Sequence, residues 1–226
     1  MPQTHHVLVL CPMEIERRAV AREVEAARLT TAQVLRTGVG KDAIIREFRA
    51  AAEASRPRLV ILAGACGALR PVDDVPPIAR VIDEHGGEWT SGVGMVESGR
   101  ILIAVDRVVS TPADKRALAD ATGAAIVDME SHAFAAACVQ LGLPWAVVRG
   151  VSDTPDETLP GEVLGWISPD GRTRNGRAVL DMIRKPSLIP HIRSVLRRSG
   201  RVLPEVGRRV VEIIRSFEDR GRTIDS

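Results

Sequence analysis

Trp145-Ala-Val-Val148, continuing as Arg149-Gly-Val-Ser-Asp153, is the stretch on which the fold turns. Four apolar residues without polar alternation read as a strand buried on both faces, as parallel strands are when helices cover both sides of a sheet. Val7-Leu-Val-Leu-Cys11 and Leu59-Val-Ile-Leu62 repeat the pattern. Between these runs lie segments of helical character. Met13 to Ala26 is one. A second opens at Gly38-Val-Gly-Lys41, carries Ile44, Ile45 and Phe48 on one stripe, and is stopped by Pro57. Weaker strands are expected up to Leu35, over Ile78–Ile82, Ile101–Val105 and Ala124–Val127, with helices over Pro112–Ala121 and Met129–Leu141. Gly64-Ala-Cys-Gly67 reads as a tight turn, and residues 160–175 as loop. Strands alternating with helices predict an α/β fold, with a mostly parallel central sheet flanked by helices.

The composition sets outer bounds. The chain has 226 residues, 45 % hydrophobic, with aromatics at 3 % and no Tyr, so Val, Ile, Leu and Ala must build the core. No apolar stretch reaches the length of a membrane span, and Met1 to His6 lacks the features of a signal peptide. Cys11, Cys66 and Cys138 lie far apart in apolar settings and read as buried free thiols of a cytoplasmic protein. No Cys/His spacing suits a metal. Scarce aromatics and the lack of a nucleic-acid module argue against nucleic acid.

The net charge of +2 hides an asymmetry: residues 184–226 hold eleven Lys/Arg against five Asp/Glu. Apolar residues at helical spacing, from Leu188 to Leu196 and from Leu203 to Phe217, predict two amphipathic helices. The chain thus divides into a body, 1–183, and a basic helical tail, 184–226. Such a tail either docks by its apolar faces or meets an anionic surface.

Two motifs mimic nucleotide sites. Gly38-Val-Gly-Lys41 resembles part of a P-loop, but Leu35 stands where its first Gly belongs and Asp42 where Ser or Thr should follow. Gly92-Val-Gly94 begins a dinucleotide fingerprint that Glu97 breaks. Three strand ends carry carboxylates instead. Glu14 and Glu16 follow the first strand, Asp128 and Glu130 the strand ending at Val127, and Asp153 the strand ending near Val148. Ligands of such sheets bind outside the carboxyl ends of the strands. One carboxylate there reads as a helix cap; three together favour a site.

Val127-Asp-Met-Glu-Ser131 and Val147-Val-Arg-Gly-Val-Ser-Asp153 resemble two segments of the purine nucleoside phosphorylase and methylthioadenosine/S-adenosylhomocysteine nucleosidase superfamily. Met13-Glu-Ile-Glu16, Thr37-Gly-Val-Gly-Lys41 and Ala63-Gly-Ala-Cys-Gly67 are similar to its upstream motifs. Val105-Asp-Arg-Val-Val109, the Asp128–His132 run and Asp170-Gly-Arg172 with the Arg-rich tail look like hopanoid-associated phosphorylases. The resemblance implies cleavage of the N-glycosidic bond of an adenine nucleoside with a bulky 5′ substituent, such as adenosylhopane. It assigns Asp153 to protonation of the purine at N7 and Glu16 to positioning of the attacking water. Glu130 would bind the ribose hydroxyls, Met129 would pack on the ribose, and Ser152, Gly67 and Met13 would line the substrate site. Arg149 reads as support for these groups, or as a structural ion pair. No cofactor is expected. Phosphate is an alternative co-substrate, disfavoured because Glu16 would repel it. A homodimer is the implied assembly, cytoplasmic, with the basic tail offering peripheral contact to the inner face of the membrane. A nucleoside-binding sensor is the non-enzymatic alternative.

Overall fold

A computed structural model describes residues 6–94, 96–159, 170–172 and 189–224. Among the described residues eight strands form one sheet: β1 (Val7–Cys11), β2 (Ala32–Arg36), β3 (Leu59–Ala68), β4 (Ile78–Asp83), β5 (Glu88–Trp89), β6 (Arg100–Ala104), β7 (Ile126–Asp128) and β8 (Trp145–Asp153). The helices are α1 (Glu14–Ala26), α2 (Lys41–Ser55), α3 (Pro112–Thr122), α4 (Ser131–Gln140) and α5 (Ile189–Ile224).

The order along the sheet is β2-β1-β3-β7-β6-β4-β5, with β8 paired to β3. Pairings β1–β2, β1–β3, β3–β8, β4–β6 and β6–β7 are parallel; β3–β7 and β4–β5 are antiparallel. The fold class is therefore the mixed, mainly parallel α/β sheet between helices that the alternating pattern predicts.

Two apolar layers sandwich β1, β3 and β8. One is formed under α2 and α4 by Leu8, Leu10, Ile44, Phe48, Val60, Leu62, Phe134 and Val147. The other, under α1 and α5, contains Val7, Val9, Val20, Ile61, Val148, Val206, Val210 and Ile214. The alternation of Leu8/Leu10 with Val7/Val9 between the two layers is the period-2 geometry of a strand buried on both faces. Cys11, Cys66 and Cys138 are buried and unlinked.

Three expectations need correction. Gly64-Ala-Cys-Gly67 is not a turn: β3 runs on through Ala68, with a register shift against β8 at Cys66/Gly67. These residues are small because charged groups press on the strand. A Cβ at Gly64 would lie 2.7 Å from Glu16 Oε1 and 2.8 Å from Arg149 Nη1. Likewise β8 does not end at Val148 but persists to Asp153, pairing with β3 to the end. Finally, the tail forms one helix, α5, through Pro204, rather than two. Its Val202, Leu203, Val206, Val210, Val211, Ile213 and Ile214 are buried, so one continuous apolar stripe holds the helix together. Gly150 permits the contact: a Cβ there would lie 2.1 Å from Val202 Cγ1. The outer face of α5 exposes Arg193, Arg197, Arg208, Arg215 and Arg220. Most of 160–175, read as loop, and residues 184–188 of the tail lie outside the described residues. No described helix is long and apolar enough to cross a membrane.

Candidate active site

A cavity of about 440 Å³ opens at the carboxyl ends of β1, β3 and β8 and beside β7. Its wall includes Met13, Glu16, Gly67, Met129, Glu130, Ser152 and Asp153, seven residues singled out in the sequence. Pro12, Val39, Val108, Val109, Val127 and Leu159 complete a largely apolar lining. Size and character suit a small organic ligand with a few polar anchor points.

Glu16 stands in the first turn of α1, which starts as soon as β1 ends. It reaches back so that Met13 N–H donates to Oε2 at 2.7 Å, while Ala65 N–H of β3 donates to Oε1 at 2.7 Å. The first bond is the helix-capping role expected of a lone carboxylate here; the second draws the side chain across to β3. Burial raises its pKa to about 7, against these two bonds and the Arg149 charge. Glu16 thus exchanges a proton near neutrality.

Glu130 lies between β7 and α4. Gly40 N–H donates to Oε1 at 2.8 Å, and Arg149 Nη2 to Oε2 at 3.3 Å. Gly40 has φ +90°, a conformation that L side chains rarely adopt. The glycine loop that mimicked a P-loop therefore presents its N–H to a carboxylate. Asp128 accepts from the N–H of Ser131, the first residue of α4, at 3.1 Å, and pairs with Arg149. Burial raises the Glu130 pKa, Arg149 opposes this and Asp128 adds to it.

Arg149 is 0 % exposed and sits behind the cavity. Burial works against its charge, but Asp128, Glu130 and Glu16 hold its pKa high. Its Nε and Nη1 have no hydrogen-bond partner among the described residues. Unpartnered buried donors are rare in proteins.

Asp153 ends β8. Ser152 Oγ lies 2.9 Å from its Oδ1 and 3.1 Å from the Cys66 carbonyl, so one hydroxyl proton serves either acceptor. Oδ2 accepts from the buried ammonium of Lys115 on α3. Burial raises the Asp153 pKa and Lys115 opposes the rise. The sequence reading passed over Lys115. A signal was there, since Lys115, Leu118 and Ala119 have the i, i+3, i+4 spacing of one helix face, and all three are buried.

His132 stays apart from this chemistry. Its Nε2 lies 3.7 Å from Asp106 Oδ1, and its ring does not line the cavity. Glu14 pairs with Arg17 and Arg18 at the protein surface.

Residues 78–184 match the Phosphorylase superfamily. The matched stretch contains Lys115, Asp128, Glu130, Arg149 and Asp153, while Glu16 lies ahead of it. Among solved structures, the chain is similar to Helicobacter pylori 5′-methylthioadenosine/S-adenosylhomocysteine nucleosidase: TM-score 0.67, 14 % identity, 94 % of this chain and 99 % of that one covered. It is similar to native futalosine hydrolase of the same organism, at TM-score 0.62 and 14 % identity, covering 96 % and 98 %. Arabidopsis thaliana 5′-methylthioadenosine nucleosidase follows at TM-score 0.61 and 14 % identity, covering 92 % and 94 %. The shared architecture thus extends over nearly the whole chain. No curated protein matches the sequence.

Proposed function

We propose that this chain is an enzyme that hydrolyses the N-glycosidic bond of an adenine nucleoside. The observation that carries the reading is the convergence of Glu16, Glu130 and Asp153, from three separate strand ends, on one largely apolar cavity. The superfamily match and the nucleosidase-like fold support an enzyme acting on nucleosides.

In this reading the purine lies against Val109, Val127 and Leu159, with its N7 edge toward Asp153. Asp153 delivers a proton to N7 as the bond to the sugar breaks and its electron pair passes to the ring. Glu130 accepts hydrogen bonds from the ribose 2′ and 3′ hydroxyls, and its charge favours the cationic sugar of the transition state. A water held in the cavity beside Glu16 would be the nucleophile. Glu16, titrating near 7, takes its proton as the oxygen adds to the sugar.

Water is favoured over phosphate by the charges. Arg107 is the single basic side chain among the described lining residues, against four carboxylates. Arg17 and Arg18 are engaged with Glu14 outside the cavity. The finer proposal is a bulky apolar 5′ group, as in adenosylhopane, which rests on the hopanoid-associated segments of the sequence. The exposed arginines of α5 would then meet an anionic surface by charge alone, because the apolar face of that helix is occupied by the core.

The test is incubation with a series of 5′-substituted adenosines, with and without phosphate. Free adenine and a reducing sugar should appear without phosphate, with turnover rising as the 5′ group becomes larger and more apolar. A strict phosphate requirement with accumulation of a sugar 1-phosphate would replace hydrolysis by phosphorolysis.

A further inference from the structure

Lys115 is 0 % exposed, a rare position for a lysine. Its ammonium has three protons, and the structure supplies three acceptors: Asp153 Oδ2, the Thr154 carbonyl at 2.6 Å and the Glu157 carbonyl at 3.0 Å. The first is the carboxylate that meets the base in the function proposed above. The other two belong to the segment after β8 that leads to Leu159 in the cavity wall. That segment is held from both sides. Leu159 N–H donates to Ser110 O at 2.9 Å ahead of α3, while Ser194 and Arg198 of α5 donate to the Glu157 carboxylate at 2.9 and 3.0 Å.

A purely structural lysine could bind the two carbonyls and leave the aspartate alone. This one also bonds Oδ2 of the aspartate, while Oδ1 lies 2.9 Å from the Ser152 hydroxyl. We propose that Lys115 is a positioning residue for Asp153: it fixes the carboxyl rotamer, sets the pH range over which that carboxyl keeps its proton, and ties the cavity wall at Leu159 to α3. The inference rests on the nucleosidase reading. It adds to it a charge on α3 that stabilises the carboxylate left behind when the proton moves to N7.

The charged and titratable groups around Asp153 are Lys115 on α3, Glu157 on the following segment and Cys66 on β3. Across the cavity stand Asp128, Glu130 and Arg107. Lys115 alone among them is a cation bonded to the carboxyl among the described residues. Without it, only the Ser152 hydrogen bond opposes burial, and Asp153 holds its proton to higher pH.

The experiment is the pH profile of kcat/KM for wild type, Lys115→Met and Lys115→Arg, with circular dichroism to verify folding. The activity falls on the alkaline side as Asp153 loses its proton. In Lys115→Met that limb should move to higher pH by about one unit or more, the scale of an adjacent opposite charge. It should stay in place in Lys115→Arg, which keeps the charge. A uniform loss of activity with the limb unmoved would overturn the proposal. If Lys115→Met fails to fold, Lys115→Gln, which retains donors for the two carbonyls, serves the same comparison. Infrared titration of the Asp153 carboxyl band, read as a difference against Asp153→Asn, needs no turnover. A midpoint that rises in Lys115→Gln upholds the role of Lys115 even if wild type cleaves no nucleoside, a result that would sink the function alone. An unchanged midpoint overturns the role of Lys115.

Discussion

β3 and β8 lie side by side, yet their two halves obey different rules. From Leu59 to Ala63 and from Trp145 to Val148 every side chain is apolar and buried. From Gly64 to Ala68 and from Arg149 to Asp153 the same strands carry small residues beside a buried guanidinium and a buried carboxyl. The first half is explained by stability alone, since fully burying a large aliphatic side chain contributes roughly 1.5–3 kcal/mol. The second half is not. Buried ion pairs seldom add net stability against apolar residues of the same volume, and strongly perturbed carboxyls cluster at functional sites. What the difference teaches is where the molecule gives up packing for chemistry: at the carboxyl ends of its central strands.

The sharpest way to break this comparison is Asp153→Asn. The amide still offers an oxygen to Lys115, so the fold should survive. It has no proton of suitable acidity for N7, and loss of a general acid typically lowers the rate ~10²–10⁴-fold. Steady-state release of adenine is the measurement. Near-normal turnover in this variant would show that the charged half of β8 serves something other than base departure.

Next in size is the effect of Glu16 on stability. Its pKa is raised by burial from the ordinary glutamate value of 4.5 to about 7. A carboxyl whose folded pKa exceeds its unfolded value contributes stability that is fully present below the unfolded pKa. That contribution is lost as pH rises through the folded pKa. The window is therefore from about 4.5 to about 7, and its depth is on the order of 3 kcal/mol. Relative to Glu16→Gln, wild type should lose about that much between pH 4 and pH 8, measured by urea unfolding. As Glu16 ionises the hydrolytic rate should rise, up to the alkaline limb set by Asp153, because only ionised Glu16 can accept a proton from water. A parallel pH dependence in the two proteins would mean that Glu16 is ionised throughout and acts as a helix cap only.

Most of the apolar half was legible in the sequence, because unbroken runs such as Val7–Cys11 and Leu59–Leu62 have few alternatives in a chain of this size. The ends of those strands were less so. Gly and Ala at 63–68 match a turn by composition. What keeps the chain extended there is contact with Glu16 and Arg149, groups distant in sequence. Gly200 and Pro204 stand between or at the start of the two apolar stretches read as separate C-terminal helices, and local preference disfavours both within a helix. Burial of one continuous stripe against β3, β8 and α1 overrides that preference. At the site, carboxylates following strands could be seen one by one. Their common guanidinium, and the lysine across from Asp153, could not, because pairing between β8, β7 and α3 is a property of the folded chain. Lys115 on the apolar face of an amphipathic helix was the one local clue.

The smallest predicted effect tests the other side of the comparison. Ile214 is fully buried in the layer beneath α5, in the apolar cluster that includes Val9, Val148 and Val210. Ile214→Val removes one methylene and leaves a small void, which typically costs about 0.5–1.5 kcal/mol. The expected outcome is a lower Tm with kcat/KM and its pH limbs unchanged at temperatures where the variant is folded. That separation is not guaranteed by distance. α5 also reaches the site, through Ser194 and Arg198 to Glu157 and from there through Lys115 to Asp153. If the helix moves as a rigid rod, a void at Ile214 shifts that chain of hydrogen bonds and the alkaline limb moves with it. If the strain is absorbed locally, at the turns around Val210 and Ile213, only stability changes. The second outcome is expected, because Gly150 seats Val202 and Val206 against β8 between the void and Arg198. That contact anchors the helix before the disturbance reaches the basic end. A shifted limb in Ile214→Val would show that the apolar half of the molecule sets the protonation of the charged half.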